Sequence, residues 1–114
     1  MKRAVTLKEN HEFRRVYQKG RSAVSGGMVV YCRKNKRGTN RLGITASVKL
    51  GNAVFRNRAR RRLREVYRLH GDKLRKGYDV ILVARGRTGS MPWPELNSTF
   101  LRLCRKLDLL EDKP

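Results

Sequence analysis

The chain has 114 residues, 29 of them Lys or Arg and 9 Asp or Glu, for a formal net charge of +20. That length suits one domain with a modest core, and such an excess of like charge repels itself in the compact state, so a polyanionic partner is expected. Apolar runs such as Val80-Ile81-Leu82-Val83-Ala84 fall far short of the ~18–20 residues of a membrane-spanning helix; the N-terminal MKRAVTLKENHEF has no apolar signal core, and a cytoplasmic protein with no membrane partner is expected.

In chain order, Thr6-Leu7-Lys8-Glu9 has the form of a capping box. It predicts a helix to about Lys19, ended by Gly20, with Phe13, Val16 and Tyr17 on one face. Met28-Val29-Val30-Tyr31-Cys32 reads as a strand, and Asn35 to Asn40 as a loop. Leu42, Ile44, Ala46 and Val48 alternate with Arg41, Gly43, Thr45 and Ser47, which predicts a strand with one buried face. These two strands are expected to pair as a hairpin. Asn52 is placed to cap an arginine-rich helix running to about His70, with Gly71 at its end. Tyr78 to Ala84 is apolar enough for a central strand, and Arg85 to Ser90 is a basic loop. Pro94 suits the start of a last helix, with an apolar stripe of Leu96, Phe100, Leu103, Cys104 and Leu107. The tail, 111–114, is expected to fray. Cys32 and Cys104 fit no metal spacing and are expected to be buried free thiols. The order implies a single α+β domain over residues 1–114, a sandwich of one sheet and covering helices (αβββαβα-like).

The arginine-rich helix carries the functional signal. From Arg56 to Arg68 there are seven arginines and one acid, Glu65. At about 100° per residue, Phe55, Ala59, Leu63 and Val66 form a core stripe, with Tyr67 beside it. Asn57, Arg60, Arg61, Arg64 and Arg68 fall on the opposite side. Arg58 and Arg62 flank the stripe on one side and Arg56 on the other. A solvated helix interleaves opposite charges, whereas this one sets like beside like. Phosphate explains the pattern, because the guanidinium fork binds phosphate oxygens bidentately. Asn57 adds a donor and an acceptor for a 2′-hydroxyl or a base edge. Charge alone does not separate RNA from DNA, although no helix-turn-helix or zinc module is visible. Phe13, Tyr17 and Tyr31 have two readings, as core or as rings that stack unpaired bases.

Lys49-Leu50-Gly51-Asn52-Ala53-Val54-Phe55-Arg56-Asn57-Arg58, followed by Arg60, Arg61 and Arg64, resembles the RNR motif of the bacterial ribonuclease P protein subunit. The first helix with Phe13 and Tyr17, the strand with Tyr31, and Leu42-Gly43-Ile44-Thr45-Ala46-Ser47 match the same family in order, from about Thr6 to Leu107. The resemblance implies an α+β sandwich with a left-handed βαβ crossover around the arginine helix. It implies a subunit of an endoribonuclease that removes the 5′ leader of precursor tRNA, the hydrolysis being performed by a catalytic RNA with Mg²⁺ held mainly by that RNA. Lys49, Arg56, Asn57, Arg58, Arg60, Arg61 and Arg64 become contacts to the catalytic RNA, joined by Arg68 on the exposed face. Phe13, Tyr17 and Tyr31 become the cleft for the leader. The chain departs from the family at Val48, where many relatives carry a second lysine; here Val48 extends the buried alternation. The free protein is expected to be monomeric, and no catalytic residue is assigned to it. Two rivals share the composition. A ribosomal protein would have the basic helix without an aromatic cleft. A protein-only nuclease would need grouped carboxylates, and the nine acids are scattered.

Overall fold

The computed structural model describes residues 5–111. Its elements are β1 (Val5–Thr6), α1 (Asn10–Lys19), β2 (Arg21–Val24), β3 (Met28–Lys34), β4 (Arg41–Thr45), α2 (Ala53–His70), β5 (Tyr78–Ala84) and α3 (Trp93–Lys106), with single 3₁₀ turns at Val48–Leu50 and Gly71–Lys73. The strands form one sheet in the order β1-β4-β5-β3-β2. β5 is central, as its apolar run predicts. It runs parallel to β4 and antiparallel to β3, so β4–α2–β5 is a βαβ crossover around the arginine-rich helix.

The pleat separates two environments. Ala23, Met28, Val30, Cys32, Leu42, Val80 and Leu82 face α2 and α3 in the main core, together with Leu63, Val66, Leu96, Phe100 and Leu103. Both stripes read from the sequence are therefore buried, except that Phe55 is only half-covered. Cys32 and Cys104 are buried free thiols in this core, and desolvation pushes the Cys104 thiol up to about 12. The opposite face carries a smaller cluster of Leu7, Val16 and Ile81 beneath α1, with Phe13, Tyr31 and Val83 packed against it.

Several local expectations are corrected. β3 and β4 do not form a hairpin, because β5 is inserted between them. Thr6 does not cap α1. It is held in β1 beside Leu42, and the capping box shifts to Glu9 and Glu12. β4 ends at Thr45, three residues short of the expected alternation. The Ser47 hydroxyl then accepts from the Lys49 N–H and starts a 3₁₀ turn, which leaves Val48 75% exposed. Glu111 is not frayed, since its N–H donates to the Lys73 carbonyl at 2.9 Å; the remainder of the expected tail, 112–114, lies outside the described residues.

α1 is fixed to the sheet by one ion network and one close approach. Arg41 donates from Nε and Nη2 to the two oxygens of Asp79 at 2.9 and 2.8 Å, and from Nη1 to Glu12 at 2.5 Å. Asn35 Nδ2 adds a bond to Asp79 at 2.9 Å. All three charged side chains are mostly buried. Lengthwise, the ring of Phe13 lies on Gly43, where a Cβ would stand 2.6 Å from Phe13 Cε2.

Removing Arg41 by Arg41→Ala would strand the Asp79 carboxylate in the sheet, an uncompensated buried charge that costs about 3–5 kcal/mol; urea unfolding measures it. Backbone N–H groups of Glu9 and Lys8, then Arg41, hold Glu12 well below its ordinary 4.5, at about 2. A lowered carboxylate contributes stability that is present above the unfolded value and is lost as pH falls through the folded one. Glu12→Gln should therefore be less stable than the parent at neutral pH, and the gap should close between pH 4.5 and 2. A gap that persists unchanged at pH 2 would refute the assignment. Gly43→Ala should cost about 1–3 kcal/mol by overpacking against Phe13, read as a lowered denaturation midpoint.

Candidate nucleic-acid interface

α2 begins where Asn52 Oδ1 accepts from the Phe55 N–H at 2.9 Å, as its N-cap position predicts. Its buried side is Ala59, Leu63, Val66 and Tyr67. Asn57, Arg58, Arg61, Arg64 and Arg68 are exposed, while Arg56, Arg60 and Arg62 are partly covered. Lys49, in the preceding turn, is also exposed.

The arginines divide by what already holds them. Arg58, Arg61 and Arg64 have no hydrogen-bond or ion-pair partner among the described residues. Arg60 donates to Asn57 Oδ1 at 3.0 Å and lies 3.5 Å from the Ala46 carbonyl, so Asn57 orients a neighbouring guanidinium. Arg68 forms a bidentate pair with Glu65 at 2.7 and 2.5 Å, and this fork is already engaged. Arg56 keeps a buried Nε without a partner. Arg62 is a fastener: it donates to the Thr88 and Met91 carbonyls, each at 2.6 Å, and lies 5.7 Å from the centre of the Trp93 ring. Burial, then the nearby charge of Arg58, pulls its pKa down. Thr88, fully buried, secures the same loop by donating to the Gly27 carbonyl. Neither Arg62's anchoring role nor Trp93's position at its side is visible in helical spacing, because the partners come from a loop some thirty residues away.

On the other face, Tyr17 of α1 and Tyr31 of β3 meet edge to face, with centroids 4.8 Å apart and planes at 80°. Tyr17 is 39% exposed, and Tyr31 and Phe13 are half-buried. Tyr31, Ile81 and Gly43 lie in one row across the sheet, beside Ser22. The next row is Val24, Val29, Val83 and Thr45. In it Val24 is 53% exposed, and Val83 and Thr45 are half-buried. The tyrosine pair thus stands where the cover of α1 gives way to a partly open apolar ledge. The three aromatics are brought together, with Phe13 nearest the core.

Among the described residues, five carboxylates are paired with guanidinium groups: Glu12 and Asp79 with Arg41, Glu65 with Arg68, Asp108 with Arg75 and Glu95 with Arg87. Among the described residues no three His, Cys, Asp or Glu side chains are grouped to hold a metal ion.

Comparison with known proteins bears on this geometry. The family model for Ribonuclease P matches residues 1–108. The chain is 41% identical to the ribonuclease P protein component of Natranaerobius thermophilus, covering 97% of this chain and 96% of that one. It is 43% identical to that of Symbiobacterium thermophilum, covering 97% of each. The ribonuclease P protein of Staphylococcus aureus superposes with a TM-score of 0.82 at 33% identity, over 96% of this chain and 100% of the other. The Thermotoga maritima protein does so with 0.77 at 26% identity, over 94% and 98%. With the sandwich, the crossover helix and nearly the full length in common, the chain belongs to the ribonuclease P protein component family.

Proposed function

We propose that the chain acts as the protein subunit of ribonuclease P, binding the catalytic RNA through α2 and the 5′ leader of precursor tRNA along α1 and the open ledge of the sheet. The observation that carries this reading is the row of unpartnered guanidinium groups, Arg58, Arg61 and Arg64, on a rigid helix in a chain of this family. Lys49, Arg56, Asn57 and Arg60 extend the same surface toward the helix start, while Arg68 contributes only by exchanging Glu65 for phosphate. The helix is anchored by neutral carbonyls and apolar packing, so phosphates can replace the mutual repulsion of its free arginines by charge-assisted bonds.

The ledge supplies a different chemistry. Tyr17 and Tyr31 offer ring faces and edges to unpaired bases, and the apolar row beyond them tolerates any base. Strand cleavage is assigned to the RNA partner and its Mg²⁺. Among the described residues the acids are not grouped to hold a metal ion. The chain's part is to hold RNA and leader in register. A cytoplasmic setting belongs to the same proposal, supported by two cysteines kept as buried thiols. So does a monomeric free state, supported by the self-repulsion of a chain carrying +20. A ribosomal role is the competing reading, and preferential binding to ribosomal RNA fragments over precursor tRNA and the catalytic RNA would favour it.

The triple change Arg58→Ala, Arg61→Ala, Arg64→Ala leaves the apolar stripe intact, so the melting temperature should hardly move. Binding to the catalytic RNA should weaken, and the slope of log affinity against log salt should flatten by roughly 0.7–0.9 for each lost phosphate contact. An unaltered slope would show that phosphates lie elsewhere.

Tyr17→Ala and Tyr31→Ala should stay folded, because neither ring is sealed in the main core. The holoenzyme carrying either should lose about 1–3 kcal/mol of affinity for precursor tRNA with a leader of several nucleotides, yet bind leaderless tRNA as the parent does. Equal losses at every leader length would make these rings structural.

A further inference from the structure

A cavity of ≈ 420 Å³ opens on α2 toward the start of α3, lined by Arg58, Arg61, Arg62, Arg64, Glu65 and Trp93. Its volume is in the range of pockets that take small ligands. Its chemistry is mixed in an informative way. A site for phosphate alone would need only the guanidinium groups, yet this one also holds an indole ring and the single carboxylate of α2. Trp93 is half-buried and braced by Arg62, whose guanidinium is locked on two carbonyls. Glu65 is held in place by its two bonds to Arg68. A carboxylate repels phosphate but accepts from the exocyclic amine or ring N–H of a base. Arg58, Arg61 and Arg64, unpartnered at the rim, suit the phosphates on either side.

We propose that this cavity takes one unpaired nucleotide of the RNA partner, its base stacked at Trp93 and facing Glu65, its flanking phosphates on Arg58 and Arg61. The inference rests on the reading of α2 as an RNA-binding surface and deepens it: the partner presents a bulged or looped-out base there, and not duplex backbone alone. The base adds a contact specific to RNA shape within a face that is otherwise charge against charge.

Trp93 is the only tryptophan in the chain, so its emission reports on this cavity alone. The probes are an RNA hairpin with a single bulged adenosine in its stem, the same hairpin fully paired, and the catalytic RNA of ribonuclease P. Saturation with the bulged hairpin or the catalytic RNA should quench and shift the emission, while the paired hairpin, bound at saturation, should leave it nearly unchanged. By filter binding, Trp93→Leu should weaken the bulged hairpin about 5- to 150-fold, the range for one lost stack, and leave the paired hairpin unaffected. Trp93→Phe, which keeps a ring, should lose less. Equal loss for the two hairpins, or emission unmoved by saturating bulged hairpin, overturns the proposal. If Trp93→Leu does not fold, the emission of the parent protein alone decides. Catalytic RNA that binds tightly without changing Trp93 emission sinks this inference and leaves the reading of α2 standing. Catalytic RNA that binds no better than an unrelated structured RNA sinks that reading itself.

Discussion

A helix with seven arginines between Arg56 and Arg68 and one acid is held on its sheet by a narrow stripe, and the rest of the molecule is arranged around that constraint. Ala59, Leu63 and Val66 are fully buried, and each withdraws apolar surface from water at about 25 cal/mol per Å². Opposing this is repulsion among guanidinium groups one turn apart. The relief is selective. Arg62 donates to two peptide carbonyls, which neutralise nothing but satisfy its donors, and Arg68 is offset by Glu65. Arg58, Arg61 and Arg64 receive no relief. Their repulsion remains in the free protein and is removed only by an external anion, so the unrelieved positions are those at which a polyanion gains most.

The sheet sorts its two faces by how completely they are covered. Toward α2 and α3 the side chains are almost all buried and form the larger cluster. Toward α1 a short helix of ten residues covers one row and part of another. Val24 of the sheet and Tyr17 of α1 itself remain exposed. The close seat of Phe13 on Gly43 brings α1 low over one end of the face. The tyrosine pair fills the angle where the cover stops.

Much of this was legible in the sequence because it is local. The stripe and the free face of α2 follow from helical period, Asn52 from cap chemistry, and the centrality of β5 from an apolar run without alternation. What was not legible depends on segments distant in the chain. β3 and β4 look like a hairpin until β5, more than thirty residues later, is known to pair with both. The strings from Thr6 to Glu9 and from Glu9 to Glu12 both have acids at suitable spacing. The second acts because Leu7 N–H is bound to the Leu42 carbonyl, which keeps Thr6 in a strand. Val48 continues a period of two, yet the Ser47 hydroxyl turns the backbone first. At the site, the resemblance put Tyr17 and Tyr31 in one cleft and their rings do meet, whereas the bond from Arg62 to the Thr88–Met91 loop and the seat of Trp93 needed the tertiary fold.

The same central strand serves both surfaces. Val80 and Leu82 of β5 pack beneath α2, while Asp79 and Ile81, alternating with them, hold Arg41 and the cluster under α1. A shift of α1 relative to β5 would have to break the Arg41 network, whose partners are mostly buried. A shift of α2 would have to open the main core. Both elements are thus tied to one strand by interactions that yield abruptly instead of gradually. With α2 on the catalytic RNA and a single strand along α1, as proposed, the separation between those two nucleic acids is set by the sheet, its side-chain layers and the body of α2, whose arginines lie on the side away from the core. A spacer of that kind aligns a cleavable bond without containing any catalytic group, which is consistent with carboxylates used here for caps and ion pairs.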